Sequence, residues 1–113
     1  MYHSVMEVQV FGVRKSAATR AALRFFAERR VKTHFVDLNE RPASPGELRR
    51  FADKFGLQAL VDRESRRYAD LGRPVATLER LSVEPLLLLM PLVRSQQRLT
   101  NGPAEATWKE WMK

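Results

Sequence analysis

The 113-residue sequence contains no cysteine and only two histidines, His3 and His34. Without a thiol, the chain can form no disulfide and can carry out no thiol-dependent redox chemistry. Neither histidine has a partner at metal-binding or catalytic spacing, so we interpret both as surface or strand-face residues. We therefore expect no metal site, and no cofactor is indicated by the residues themselves.

Long hydrophobic runs are also missing. The longest, Leu86–Met90 with its continuation past Pro91 to Val93, falls well short of the roughly 18 residues that a membrane span needs. The first residues lack the basic start and long apolar centre of a signal peptide. These absences favour a cytoplasmic protein without a membrane segment, and a length of 113 residues suits a single domain.

Acidic residues are few relative to basic ones, which gives a net charge of +7 and a pI near 10.6. Fifteen of the twenty basic residues are arginine, whose forked side chain favours carboxylates and phosphates. The arginines are scattered and interleaved with acids, and the phenylalanines lie at core-like spacing. We interpret the charge as solvated helix faces and consider nucleic-acid binding by the chain alone the weaker alternative.

The N-terminal part predicts a strand, a short loop and a helix. Val5–Phe11 nearly alternates apolar and polar residues, Gly12 breaks the run, and Ala17–Arg30 has helical spacing with Ser16 at the N-cap. Such a junction directs free backbone N–H groups and the positive end of the helix dipole at one spot. The junction therefore suits an anion or a thiolate.

A second strand, Lys32–Leu38, should lie parallel to the first, because strand, helix and strand follow within a short stretch. A second helix has a clear start: Ser44 is its N-cap, Pro45 its first residue and Glu47 completes a capping box. Gly56 supplies the stop.

Residues from about 44 to 82 are predicted to be helical throughout. Short turns are expected at Leu57–Val61 and Arg66–Leu71, and a further helix from about Val75 should end before Pro85. The densest basic cluster of the chain, Arg63, Arg66 and Arg67, lies in this segment. We interpret it as a surface turn that pairs with neighbouring acids. These acids are Asp62, Glu64 and Asp70.

The continuous apolar run predicts a central strand, Leu87–Val93. Pro91 fits a central strand only at its start or at a bend, with a cis peptide bond before it. Arg94–Gln97 should form a turn and Arg98–Thr100 an antiparallel return strand. A final helix should follow, opened by Pro103, with two tryptophans that we interpret as a core seal rather than a partner site. These are Trp108 and Trp111.

Three segments carry a resemblance to a known family. Ser16–Arg20 lies on a Cys-x-x-Cys-Arg or Cys-x-x-Ser-Arg motif, Leu60–Gly72 is similar to a segment ending in Tyr-x-x-Leu-Gly, and Pro85–Val93 is similar to a proline-centred signature. In this order they resemble the arsenate reductase/Spx (ArsC-like) family. The resemblance implies a thioredoxin-like four-stranded mixed sheet flanked by helices, with a cis Met90–Pro91 bond lying against the Ser16 loop. It also implies one domain over 1–113, with thioredoxin-like parts at about 1–43 and 83–113 and a helical insertion at about 44–82.

The chemistry departs from that family pattern. Ser16 and Thr19 occupy both thiol positions, and Met90 replaces the arginine expected before the signature proline. Arsenate reduction by a cysteine of this chain is therefore excluded, and a serine nucleophile would need an adjacent base that the sequence does not place. Candidates for weak anion binding remain in the loop. They are Lys15, Ser16, Thr19 and Arg20.

Two functions follow from the resemblance. The Spx branch binds the C-terminal domain of the RNA polymerase α subunit, which implies a non-catalytic interaction or regulatory protein, a pseudoenzyme with a role in transcription. The alternative is a relic of a thiol reductase that still binds glutathione or an oxyanion through the Ser16–Arg20 loop.

Overall fold

Helices and strands alternate along residues 6–113, which the computed structural model describes. Val5, at the start of the first predicted strand, and His3 lie outside these residues. The elements in chain order are β1 (Glu7–Gly12), α1 (Ala17–Glu28), β2 (Lys32–Asp37), α2 (Pro45–Phe55), α3 (Arg66–Asp70), α4 (Leu78–Val83), β3 (Leu92–Ser95), β4 (Arg98–Asn101) and α5 (Glu105–Trp111). Two 3-10 turns, Leu57–Leu60 and Pro85–Leu87, flank the helices α3 and α4.

The strands form one sheet in the order β2-β1-β3-β4. β1 runs parallel to β2 and antiparallel to β3, with Val10 opposite both Phe35 and Val93. β4 runs antiparallel to β3. The predicted four-stranded mixed sheet flanked by helices, of the thioredoxin type, is confirmed.

Each face of the sheet has its own hydrophobic cluster. On one face, Val8 and Val10 pack with α1 and α5 around Trp108, which is buried. On the other, Phe11 and Leu92 pack with the helical segment that begins at Pro45. Within residues 6–113, no helix is long and apolar enough to cross a membrane.

The apolar run is not the strand that its composition predicts. Pro85–Leu87 forms a 3-10 turn, and Leu88 makes only an isolated bridge to Val61. β3 begins at Leu92 instead and continues to Ser95, into the predicted turn. The prediction failed because Leu87 and Leu88 are buried by packing against the helical segment, so their apolar character does not require a place in the sheet.

Three helix boundaries also differ from the prediction. α1 ends at Glu28, two residues early, because Arg30 has a positive φ of 59° and the Val31 N–H donates to the Phe26 carbonyl at 3.0 Å, which closes the helix. α4 begins at Leu78 rather than near Val75, because the Thr77 hydroxyl accepts from the Arg80 N–H at 3.0 Å and so fixes the N-cap. α5 begins at Glu105, after Pro103 rather than at it.

The predicted capping box at α2 is present. The Ser44 hydroxyl accepts from the Glu47 N–H at 3.1 Å, and the Glu47 carboxylate accepts from the Ser44 N–H at 3.0 Å. The Arg41 guanidinium donates to both carboxylate oxygens, at 3.2 and 3.0 Å. The hydrogen bonds from Arg41 are the main reason why the pKa of Glu47 is lower than usual.

Glu47→Gln is expected to lower the free energy of unfolding at pH 7 by about 0.2–1 kcal/mol, the range of a solvated ion pair. A carboxyl group whose pKa is lower in the folded state stabilises the fold above its unfolded pKa, and this contribution disappears as the pH falls through its folded pKa. The difference between the two proteins should therefore begin to shrink as the pH falls past the ordinary glutamate pKa of about 4.3, and it should vanish only below the lowered pKa of Glu47 in the folded state. Urea unfolding at pH 7 and pH 3 measures it.

Glu40→Gln is the matched control, since Glu40 is exposed and lies outside the capping box. A Glu47→Gln variant whose deficit stays constant between pH 7 and pH 3, or equals that of Glu40→Gln, would contradict this role of the Arg41–Glu47 pair.

Candidate functional site

The loop that joins β1 to α1 is held by backbone hydrogen bonds at both sides. The Ser16 N–H donates to the Val13 carbonyl at 3.1 Å, and the Leu38 N–H donates to the Gly12 carbonyl at 2.9 Å. Val13 is buried, whereas Arg14 and Lys15 are exposed at the tip. These hydrogen bonds anchor the loop to the sheet. The first turn of α1 therefore lies at the end of the sheet where β1 ends, next to the loop.

Ser16, at the first thiol position, is the N-cap of α1, as predicted. Its hydroxyl accepts from the Thr19 N–H at 3.1 Å. The N–H groups of Ala17 and Ala18 come next in the first turn, where no intrahelical acceptor exists. The serine oxygen is thus occupied in capping, and within residues 6–113 neither histidine nor carboxylate forms a hydrogen bond with it.

Thr19, at the second thiol position, does not face the loop surface. It is 0% exposed, and its hydroxyl has no hydrogen-bond partner among the described residues. The side chain packs directly on the backbone of β1, where a Cβ at Gly12 would lie 2.3 Å from the Thr19 Oγ1. Thr19 is a packing residue between α1 and β1, out of reach of an anion at the loop.

Arg14 in the loop and Arg20 in α1 are both bound to the protein itself. The Arg20 guanidinium donates to the Arg14 carbonyl at 2.7 Å. The Arg14 guanidinium forms an ion pair with Asp37 at 3.4 Å and lies over the Phe35 ring at 5.0 Å. Of the four anion-binding candidates, Lys15 and Ser16 line a groove beside the loop, whereas Thr19 and Arg20 do not.

A groove of about 400 Å³, here called the Ser16 groove, lies between the loop and the segment before Pro91. The Met90–Pro91 peptide bond is cis, the geometry that the resemblance implies. Apart from Ser16, the polar residues that line the groove are Lys15 and Asp62, whose charges oppose one another. Its other lining residues are apolar: Val13, Ala18, Leu86, Leu88, Leu89, Met90 and Pro103.

This lining suits an apolar or extended segment better than an isolated oxyanion. Leu86 is 48% exposed at the rim of the groove, although a leucine in a continuous apolar run is expected in the core. Sequence reasoning missed Leu86 and Leu89 as groove residues, because a continuous apolar run gives no indication of which members stay at the surface.

The predicted basic cluster does not act as one unit. Arg67 forms a forked pair with Glu84, with distances of 2.8 and 3.1 Å from one guanidinium nitrogen. Among residues 6–113, the Arg63 guanidinium has its hydrogen bond to the Gln58 side chain, at 3.5 Å, and Arg66 is exposed. The predicted pairing with neighbouring acids is wrong for Arg67, because the helix α3 turns its side chain toward the end of α4. The acids predicted as partners were Asp62, Glu64 and Asp70.

His34 lies on the strand face, as interpreted. Its Nε2 is 3.0 Å from a Glu7 carboxylate oxygen across the β1–β2 pair. This hydrogen bond, followed by the charge of Lys32, lowers the pKa of Glu7. No group of three or more His, Cys, Asp and Glu residues in the described part of the chain could hold a metal ion.

No family model matches the sequence, and none of the curated proteins does. Solved structures match over nearly the whole chain. An arsenate reductase from Vibrio cholerae is 19% identical with a TM-score of 0.76, covering 95% of this chain and 98% of that one. An ArsC family related protein from Bacteroides fragilis is 14% identical with a TM-score of 0.80 and the same coverage. A glutaredoxin from Archaeoglobus fulgidus is 14% identical with a TM-score of 0.51, covering 96% and 87%.

These similarities confirm the resemblance at the level of fold. The chain has the arsenate reductase variant of the thioredoxin-like fold, and it has this fold without any cysteine.

Proposed function

We propose that this protein is a non-catalytic, cytoplasmic protein that acts by binding a protein partner at the Ser16 groove. The observation that carries the proposal is the groove itself. Its serine is occupied as a helix cap, and its walls are apolar. A cavity of this kind offers binding area but no nucleophile.

The rim of the groove extends the apolar surface. Leu86, which lines the groove, is 48% exposed. Exposed apolar side chains next to an apolar groove are typical of protein interaction sites. From the resemblance to Spx, the specific partner we propose is the C-terminal domain of the RNA polymerase α subunit, which would make the protein a transcriptional regulator.

The alternative is a relic that binds glutathione or an oxyanion. Lys15 and the first N–H groups of α1 support it. Two observations weigh against it. Asp62 lines the same groove and would repel an anion, and the Arg20 guanidinium donates to the Arg14 carbonyl instead of facing the groove. We therefore rank the alternative second.

The test is a binding titration of the purified protein with the isolated C-terminal domain of the polymerase α subunit, and Leu86→Asp is the variant. We expect saturable binding that weakens at least about tenfold in Leu86→Asp, because a charge must then be buried at the interface. Val75→Asp is the matched control, since Val75 is 79% exposed and does not line the groove.

The other outcomes separate the alternatives. Capture of a different protein from native lysate, again lost in Leu86→Asp, would retain the binding role and overturn the polymerase assignment. No protein partner, together with a thermal shift from glutathione or phosphate, would favour the relic. Turnover of arsenate above the buffer control, abolished by Ser16→Ala, would overturn the non-catalytic proposal.

A further inference from the structure

A second cleft, here called the basic cleft, opens at the end of the sheet where β1 begins. Its volume is about 560 Å³, within the range of small-molecule sites. Its walls come from the residues after α1, the β3–β4 turn and the end of α5. The six-residue strand β1 runs from this cleft to the Ser16 loop. At about 3.3 Å per residue, the two sites are about 20 Å apart. The basic cleft is therefore a separate site.

Positive charge dominates the cleft. Arg29, Arg30, Arg98 and Lys113 line it, against the single carboxylate of Glu7. Two of these cations have acidic neighbours outside the lining: Lys113 pairs with Glu110 at 3.0 Å, and Arg29 lies 3.9 Å from Glu28. The Glu7 carboxylate is already engaged by His34 at 3.0 Å. The cations thus outnumber the acids among the described lining residues, and an anionic ligand would be attracted.

Two arginines of the cleft are available to a ligand: Arg98, after the β3–β4 turn, and Arg30, two residues past the end of α1. The Arg98 hydrogen bonds to the Ser95 hydroxyl and the Trp111 carbonyl are both long, at 3.4 Å. The Arg30 side chain forms no hydrogen bond or ion pair within residues 6–113, and its backbone has a positive φ of 59° just past the end of α1. Guanidinium groups in such positions can form forked hydrogen bonds with a phosphate.

An aromatic ring accompanies these cations. Trp111 lines the cleft, and the Arg98 guanidinium lies 5.1 Å from its ring centroid. Trp108, in contrast, is 1% exposed and donates its indole N–H to the Thr100 hydroxyl. The prediction that both tryptophans seal the core is thus confirmed for Trp108, whereas Trp111 is only partly buried. Trp111 lines the cleft with the Arg98 guanidinium over its ring, so a planar ligand would meet an indole and a guanidinium together.

We propose that the basic cleft binds a nucleotide, with the phosphate on Arg30 and Arg98 and the planar base against Trp111. An inorganic anion would use the arginines alone, and an apolar ligand the tryptophan alone. A phosphate joined to a flat ring uses both, since bases stack on aromatic side chains and arginine forks match phosphate oxygens. This proposal is independent of the partner proposed for the Ser16 groove.

The test is an NMR titration of the full chain with adenosine 5′-monophosphate, and separately with inorganic phosphate and adenosine. We expect shifts in the backbone amides of residues 29–31 and 95–98. The indole N–H of Trp111 should shift while that of Trp108 stays in place, because only the latter is buried in the core. The nucleotide should bind more tightly than either of its parts.

Two variants test the arginines. Arg98→Ala and Arg30→Gly should each weaken nucleotide binding about tenfold, the effect of losing one charged hydrogen bond. Glycine suits the positive φ at position 30, so this variant should fold normally. Arg66→Ala, which removes an equal charge from an exposed position on α3, should leave binding within about twofold.

Several results would overturn the proposal. They are equal weakening in Arg66→Ala and Arg98→Ala, a flat nucleotide titration, and phosphate binding as tight as that of the nucleotide. Shifts confined to residues 15–20 would also overturn it and would instead support the anion-binding alternative for the Ser16 loop.

Discussion

Replacing Trp108 with alanine is expected to lower the free energy of unfolding by about 3–5 kcal/mol. The ring is 1% exposed and contacts Phe25 and Phe26, with ring centroids 5.5 and 5.1 Å away. Its indole N–H donates to the Thr100 hydroxyl at 2.8 Å. Alanine would leave a cavity between α1, α5 and the sheet and would remove the donor as well.

Urea unfolding followed by circular dichroism measures the loss, with Trp111→Ala as the matched control. The same substitution at the partly exposed Trp111 should cost much less, because water can fill the space. Trp108→Phe should fall in between, since it keeps most of the packing but loses the hydrogen bond. Equal losses in Trp108→Ala and Trp111→Ala would show that α5 does not close the core.

Gly12→Ala is expected to destabilise the fold by about 1–3 kcal/mol or more through overpacking. The new Cβ would lie 2.3 Å from the Thr19 Oγ1, 2.7 Å from its Cγ2 and 3.0 Å from its Cβ. Threonine is branched at Cβ and is held in the helix α1, so it cannot rotate away from all three contacts. Either α1 or the end of β1 must therefore move.

Gly46→Ala is the matched control for this substitution, since the Cβ there would meet only the Ser44 Oγ at 3.8 Å and lies in a helix. Unfolding curves should show Gly46→Ala as neutral or slightly stabilising. The double variant Gly12→Ala with Thr19→Ala should recover part of the loss, because it removes the two shortest contacts. A Gly12→Ala protein as stable as the parent would mean that Thr19 is not packed on β1.

Local signals in the sequence were sufficient for several elements. The N-cap at Ser16 and the capping box from Ser44 to Glu47 were predicted because each depends on residues within a few positions of one another. The parallel pairing of β1 and β2 joins residues 25 positions apart, but it was predicted because a strand, helix and strand that follow closely favour it. The resemblance extended these elements to the complete sheet. Most of the fold was thus predictable from residue patterns and the family resemblance together.

The site depends on contacts between distant residues, and there the sequence was less informative. Arg67 pairs with Glu84, a residue 17 positions away, rather than with an acid in its own turn. Arg20 turns back onto the loop, and nothing in residue type separates this from an arginine that points at a ligand. The basic cleft combines the ends of α1 and α5 with the β3–β4 turn, which only the folded chain brings together.

The position of β1 in the middle of the sheet affects how the protein can be synthesised. Its two neighbours come from opposite parts of the chain, and the Ser95 hydroxyl that bonds to the Glu7 carbonyl lies 88 residues further on. A growing polypeptide that has emerged only as far as α2 would leave Val10 without β3 beside it and without Trp108 above it. The apolar residues of β1 therefore stay uncovered until β3 and α5 have been synthesised, and nascent chains stalled before β3 should be prone to aggregation and chaperone capture.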